Sequence, residues 1–223
     1  MSEIRSRQGL PIHIDVDARR EARALVVVVH GFKGFKDWGF FPWIGEYLCD
    51  AGFAVLRFNM SGIAYTTQIH DVLDVVDHAQ SRFRGLPLFL LGHSLGGGVA
   101  LLASREIEDL AGVVIWSAIS HVDRWDDETP ATVRDDYEAH RDRLNVLEAA
   151  ARLRVPLLAV HGARDQTVPL DESRQIIARA TDSSLLVIEA ASHTFNAIHP
   201  LVHIPRELEY AAAVSAHFVG AYA

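Results

Sequence analysis

Three short segments hold residue types whose spacing suits nucleophilic chemistry. In the first, Gly92-His93-Ser94-Leu95-Gly96 stands between an apolar β-type run at 86–91 and a helical pattern through Val99-Ala100-Leu101-Leu102-Ala103. A strand-to-helix turn this sharp holds its serine in a strained conformation with the hydroxyl above the sheet. Neighbours two residues away then come too close for a large side chain, which accounts for Gly92 and Gly96. The helix that follows places partial positive charge where an oxyanion would form.

A serine hydroxyl at its free pKa is a weak nucleophile and needs a base to take its proton. For a serine on such an elbow, the acid and then the histidine are expected further along the chain. Val160-His161-Gly162-Ala163-Arg164-Asp165 places Asp165 just beyond an apolar run, and Ser192-His193-Thr194-Phe195 follows another. Both therefore leave the sheet edge that carries Ser94, the edge at which open α/β sheets bind ligands. Asp171 and Asp182 compete for the acid's role but lie in or after a helix, which favours Asp165. The acid would fix the imidazole tautomer and stabilise the imidazolium. Two backbone donors are needed for the oxyanion. Leu95 N–H is one, and Phe32 N–H, in the loop after the first buried strand, is the other, with Gly31 allowing the tight turn.

The elements that must position these groups are legible in the hydropathy pattern. Residues 25–29, 54–58, 86–91, 112–116, 156–160 and 185–188 are short runs rich in aliphatic residues. Apolar side chains at every position suit parallel strands covered on both faces. The alternating segment 12–16 predicts an antiparallel edge strand. Helical patterns fill 43–51, 69–83, 95–107, 170–180 and 205–218. Strands alternating with helices predict an α/β fold with a mostly parallel central sheet and helices on both faces. Segment 120–150 breaks the rhythm with Asp126, Asp127, Glu128, Asp135, Asp136 and Glu138. It reads as a short lid over the C-terminal sheet edge, the alternative being a solvated surface excursion.

A chain of 223 residues, 49% hydrophobic and 22% charged, is expected to form a single globular domain spanning 1–223. Its net charge of −8 argues against a nucleic-acid partner, because neutralising phosphates takes clustered Lys and Arg. Only Lys33 and Lys36 are lysines, both in the loop after the first buried strand, where they are expected to be solvated unless they greet an anionic substrate group. The single cysteine, Cys49, excludes an internal disulfide and reads as a small buried hydrophobe. No signal-peptide pattern opens the chain, and no apolar run is long enough to span a bilayer. A cytoplasmic location without membrane association is the expectation. His199 and His203 lack a third ligand nearby, so no metal is expected, and no motif calls for a cofactor.

His30-Gly31-Phe32-Lys33-Gly34-Phe35-Lys36-Asp37-Trp38, Gly92-His93-Ser94-Leu95-Gly96-Gly97-Gly98 and Ser192-His193-Thr194-Phe195-Asn196-Ala197-Ile198-His199-Pro200 together resemble the α/β-hydrolase superfamily. The resemblance is to its bacterial branch near dienelactone hydrolases and prolyl-oligopeptidase catalytic domains. It implies an α/β-hydrolase fold and ester, thioester or amide hydrolysis through an acyl-enzyme. Carried over by position, the triad falls on Ser94, Asp165 and His193 and the oxyanion donors on Phe32 and Leu95. The chain departs from dienelactone hydrolases in having Ser94 where they use cysteine, and it has no room for the oligopeptidase propeller.

The expected function is therefore a serine hydrolase cleaving a small to medium carboxylic ester. Thioesterase, amidase or acyltransferase chemistry would use the same triad. A non-catalytic ligand-binding protein on a hydrolase fold is the alternative of another class. With a histidine base, activity should rise through roughly pH 6 to 7. Phe35, Trp38, Trp125 and Phe195 are candidates to line a substrate pocket, each with ordinary packing as its alternative. The partner is a small molecule, and oligomeric state cannot be read from the residues.

Overall fold

The computed structural model describes residues 2–223. Eight strands form one sheet in the order β1-β2-β4-β3-β5-β6-β7-β8. They are β1 (Ser2–Arg5), β2 (Pro11–Asp17), β3 (Ala24–Val29), β4 (Phe53–Phe58), β5 (Leu88–His93), β6 (Leu110–Trp116), β7 (Leu157–Gly162) and β8 (Ser183–Ile188). From β4 to β8 the neighbours run parallel, while β1 and β2 pair antiparallel with each other and β2 with β4. The mostly parallel sheet expected from the aliphatic runs is what forms.

The uninterrupted apolar run of β3 follows from its place in the sheet. Leu25, Val27 and Val29 join one buried cluster with side chains of α2 (Tyr65–Arg82), α3 (Leu95–Ala103), α5 (Val146–Arg152) and α6 (Leu170–Ile177). Ala24, Val26 and Val28 join another on the opposite face, with α1 (Phe41–Asp50) and α7 (Arg206–Tyr222). Successive side chains of a strand point to opposite faces, so a strand covered twice must be apolar throughout. Each fully buried valine contributes about 1.5–3 kcal/mol relative to an exposed one.

Two expectations need correction. The segment containing Ile12 and Ile14 is antiparallel, but it is not an edge, because β1 adds outside it. Strand β1 was invisible to hydropathy because it is short, polar and largely exposed. Lys36 is not solvated: it is 3% exposed and pairs with Asp15 and Asp37. Arg57 joins the same network through Asp17 at 3.1 Å and the Lys36 carbonyl at 2.8 Å. This charged cluster fastens the loop after β3 to β2 and β4. Cys49 is buried.

Segment 120–150 contains α4 (Ala131–His140) and the start of α5. Asp126, Asp127, Glu128, Asp135 and Glu138 are exposed, whereas Asp136 is half-buried. Asp136 accepts a hydrogen bond from Thr66 N–H at 3.0 Å in the first turn of α2, and the Tyr65 hydroxyl donates to the Val122 carbonyl at 2.6 Å. Val133, Leu144 and Val146 reach the core. The segment is thus fastened to α2 near the C-terminal edge of the sheet.

Candidate active site

Among the loops that leave that edge, those after β5, β7 and β8 carry Ser94, Asp165 and His193. Ser94 occupies the first turn, with φ 57 and ψ −124. A non-glycine residue at positive φ costs on the order of 1–3 kcal/mol and persists only where its surroundings hold it. Here its N–H donates to the Trp116 carbonyl at 2.8 Å, and its carbonyl accepts from Gly97 N–H at 3.0 Å and Ile119 N–H at 3.3 Å. Close packing explains the glycines. A Cβ on Gly96 would lie 2.3 Å from the carbonyl oxygens of Val29 and His30, and one on Gly92 would lie 2.4 Å from the Gly96 carbonyl oxygen. The loop after β3 therefore lies directly against the serine turn.

Asp165 follows β7 and its carboxylate is fully buried. Oδ1 accepts from Thr167 N–H at 2.8 Å and Val168 N–H at 2.9 Å. Oδ2 accepts from His193 Nδ1 at 2.7 Å and lies 3.3 Å from His161 Nε2. Burial alone would raise this carboxyl's pKa. The hydrogen bonds from His161, His193 and Val168 outweigh it and hold the group well below the usual carboxylate range. The β7 and β8 loops are also joined through their backbones, with Arg164 N–H donating to the Ala191 carbonyl at 2.9 Å.

Two buried histidines that sequence reasoning did not single out complete the surroundings. His161 Nε2 faces two acceptors, the Val168 carbonyl at 2.9 Å and Asp165 Oδ2, so it carries the proton. Its Nδ1 then accepts from the Ser173 hydroxyl at 2.7 Å. His93 Nε2 lies 2.9 Å from the His193 carbonyl. Burial, and next the neighbouring His193, push the His93 imidazole down to about 3, so it is neutral near pH 7. Among twelve histidines, hydropathy offered no signal for either.

The loop after β3 is shaped by His30. Its Nε2 accepts from Met60 N–H at 3.2 Å, which leaves Nδ1–H to donate to the Gly31 carbonyl at 2.9 Å. Burial lowers its pKa despite that bond. The N–H groups of Phe32 and Leu95 have no protein acceptor among the described residues. Both residues border a cavity of about 600 Å³ that also includes Ser94. Its walls are largely apolar, with Ile63, Tyr65, Ile119, Val122, Trp125 and Val133 prominent.

The aromatic candidates for this pocket divide. Trp125 lines it. Phe35 and Trp38 pack instead on His199, edge-on at 5.5 Å and stacked at 5.9 Å. Phe195, at positive φ, is fully buried against Trp116 at 5.1 Å. None of these three borders the cavity, because loop backbone rather than residue type decides where an aromatic ring points. Tyr65 escaped notice because α2 begins before its apolar periodicity does. Lys33 lies at the cavity, whereas Lys36 is occupied by its ion pairs. Among the described residues, no group of three or more His, Cys, Asp or Glu side chains is arranged to hold a metal ion.

Residues 20–132 match the family described as serine aminopeptidase, S33. The human monoglyceride lipase is 46% identical over 52 residues, which cover 23% of this chain and 17% of that protein. Esterase FrsA of Photorhabdus laumondii subsp. laumondii is 26% identical over 178 residues, covering 64% of this chain and 42% of the esterase. The chain thus spans less than half the length of these curated relatives. Est1E from Butyrivibrio proteoclasticus has a similar structure, with TM-score 0.81 at 20% identity over 100% of this chain and 99% of that one. That likeness shows an α/β-hydrolase fold. Among the described residues, no helix is long and apolar enough to cross a membrane.

Proposed function

Because this chain belongs to the serine aminopeptidase S33 family of α/β-hydrolases, and so to an esterase- and lipase-like group, we propose that it is a serine esterase cleaving small to medium carboxylic esters. The observation that carries this reading is the 2.7 Å bond from His193 Nδ1 to a buried Asp165 carboxylate, at the sheet edge where Ser94 borders an apolar cavity. Asp165 holds His193 with its proton on Nδ1, leaving Nε2 free to act as base.

In this mechanism Ser94 Oγ attacks the ester carbonyl while His193 Nε2 takes the hydroxyl proton. The tetrahedral oxyanion is held by the N–H groups of Phe32 and Leu95. Collapse breaks the bond to the alcohol, which leaves with the proton from His193. Water then attacks the acyl-enzyme, giving its proton to His193, and the acid departs as Ser94 recovers its hydrogen. The largely apolar cavity walls suit an alkyl or aryl acyl group.

We further read the chain as one catalytic domain, in which segment 120–150 acts as a lid. Val122, Trp125 and Val133 from that segment supply part of the cavity wall, which supports assigning it substrate choice. The protein would act on its small-molecule substrate in the cytoplasm, without cofactor.

The aminopeptidase in the family's description favours a second reading, amide hydrolysis at the same site. Nitrophenyl esters of graded chain length, assayed beside aminoacyl nitroanilides, separate the two. Ser94→Ala should lower kcat for the ester by about 10⁴-fold or more and abolish labelling by a fluorophosphonate. Undiminished turnover in that variant would exclude the mechanism.

A further inference from the structure

We propose that His93 is a positioning residue for the general base, acting through the main-chain carbonyl of His193. The inference rests on the triad reading above. His93 precedes Ser94 in the chain, and its Nε2 lies 2.9 Å from the His193 carbonyl oxygen. A carbonyl only accepts, so Nε2 carries the proton and His93 donates. The His93 ring lies 4.8 Å from the His193 ring and is flanked by Phe40 at 5.2 Å and Phe41 at 6.2 Å.

Its placement joins three loops of the site, those after β3, β5 and β8. A Cβ on Gly31 would meet Ser94 Cβ at 3.0 Å and His93 Nδ1 at 3.5 Å, so the ring also abuts the strand end that leads to Phe32. Asp165 fixes the imidazole of His193 from the side-chain end, and His93 fixes it from the main-chain end. Because His93 and Ser94 are consecutive, one side chain sets the spacing between nucleophile and base. The charged and titratable groups around it are His193, Asp165 and His161. Since His93 stays neutral, it adds no second cation beside the imidazolium that forms on His193 during reaction. Lysine or arginine would donate equally well but would oppose that charge.

The test compares His93→Phe, which keeps a ring but deletes the donor, with His93→Gln, which keeps a terminal N–H. Turnover of a nitrophenyl ester is measured beside Ser94→Ala and His193→Ala. Misplacing a reacting group by about 1 Å costs on the order of 100-fold. His93→Phe should accordingly lower kcat about 10- to 100-fold with KM nearly unchanged, and His93→Gln should recover most of the loss. Wild-type kcat in His93→Phe, or equal losses in both variants, overturns the proposal. Turnover persisting in Ser94→Ala or His193→Ala overturns the triad reading instead. A measurement on the unaltered protein does not depend on the variants folding. Nitrogen NMR should show His93 as the neutral Nε2–H tautomer from about pH 5.5 to 8. An Nδ1–H tautomer, or titration within that range, overturns the proposal.

Discussion

His161 Nε2 stands 3.3 Å from Asp165 Oδ2, the same oxygen that accepts from His193 Nδ1. One carboxylate oxygen thus serves two imidazoles, of which one is fully buried and held by Val168 and Ser173. The Asp165 carboxylate is consequently held from behind as well as from the side of His193.

His161→Phe should test that support. The substitution keeps a buried ring and removes the donor to Asp165 and to the Val168 carbonyl. Unpaired buried acceptors cost about 1–3 kcal/mol each, so the urea midpoint should fall by a corresponding amount. Ester turnover should fall roughly 10-fold or more as the carboxylate gains freedom. Wild-type values for both would mean that the backbone N–H groups of Thr167 and Val168 are sufficient.

Asp165 predicts an acid-dependent stability. Its folded pKa lies below the ordinary carboxylate value of about 3.9. As pH falls through that value the unfolded chain takes up a proton that the native state refuses. The stability contributed by the group is therefore complete above about pH 5 and lost progressively below it. Unfolding free energies from urea titrations at about pH 5.5 and below should fall less steeply in Asp165→Asn than in the wild type, by up to about 1.4 kcal/mol per pH unit. Parallel slopes would contradict the assignment.

Gly96→Val should damage the elbow rather than the chemistry alone. Its first side-chain carbon would meet two backbone carbonyls at 2.3 Å, and backbone cannot swing aside as a side-chain tip can. A loss of about 3 kcal/mol or more is expected, read as a lowered melting temperature together with lost fluorophosphonate labelling.

The cavity predicts chain-length selection. Ile63→Trp, at an exposed residue of the cavity wall, would fill part of the 600 Å³ space beside Ser94. Activity on long acyl esters should fall about 10-fold or more relative to acetate esters, with the melting temperature little changed. An unaltered chain-length profile would place the acyl group elsewhere.

The sequence by itself determined the order of the aliphatic strands, though not the short polar β1, and placed the residues of the proposed triad after them. Runs such as Ala24–Val29 are apolar at every position because both faces are covered, and that periodicity needs no long-range information. The serine turn was legible because its glycines answer to local crowding, and Asp165 and His193 because each follows an aliphatic run. Tertiary structure alone decided what surrounds them. That Phe195 turns into the core while Trp125 faces the cavity depends on loop backbone and on neighbours far apart in the chain. That Lys36 is buried depends on Asp15, 21 residues away. His161 and His93 could not be singled out in sequence because their acceptors, Val168 O, Asp165 Oδ2 and His193 O, lie on other loops. Hydrophobic period records which face is covered, whereas a hydrogen bond between loops exists only once the sheet has set their ends side by side.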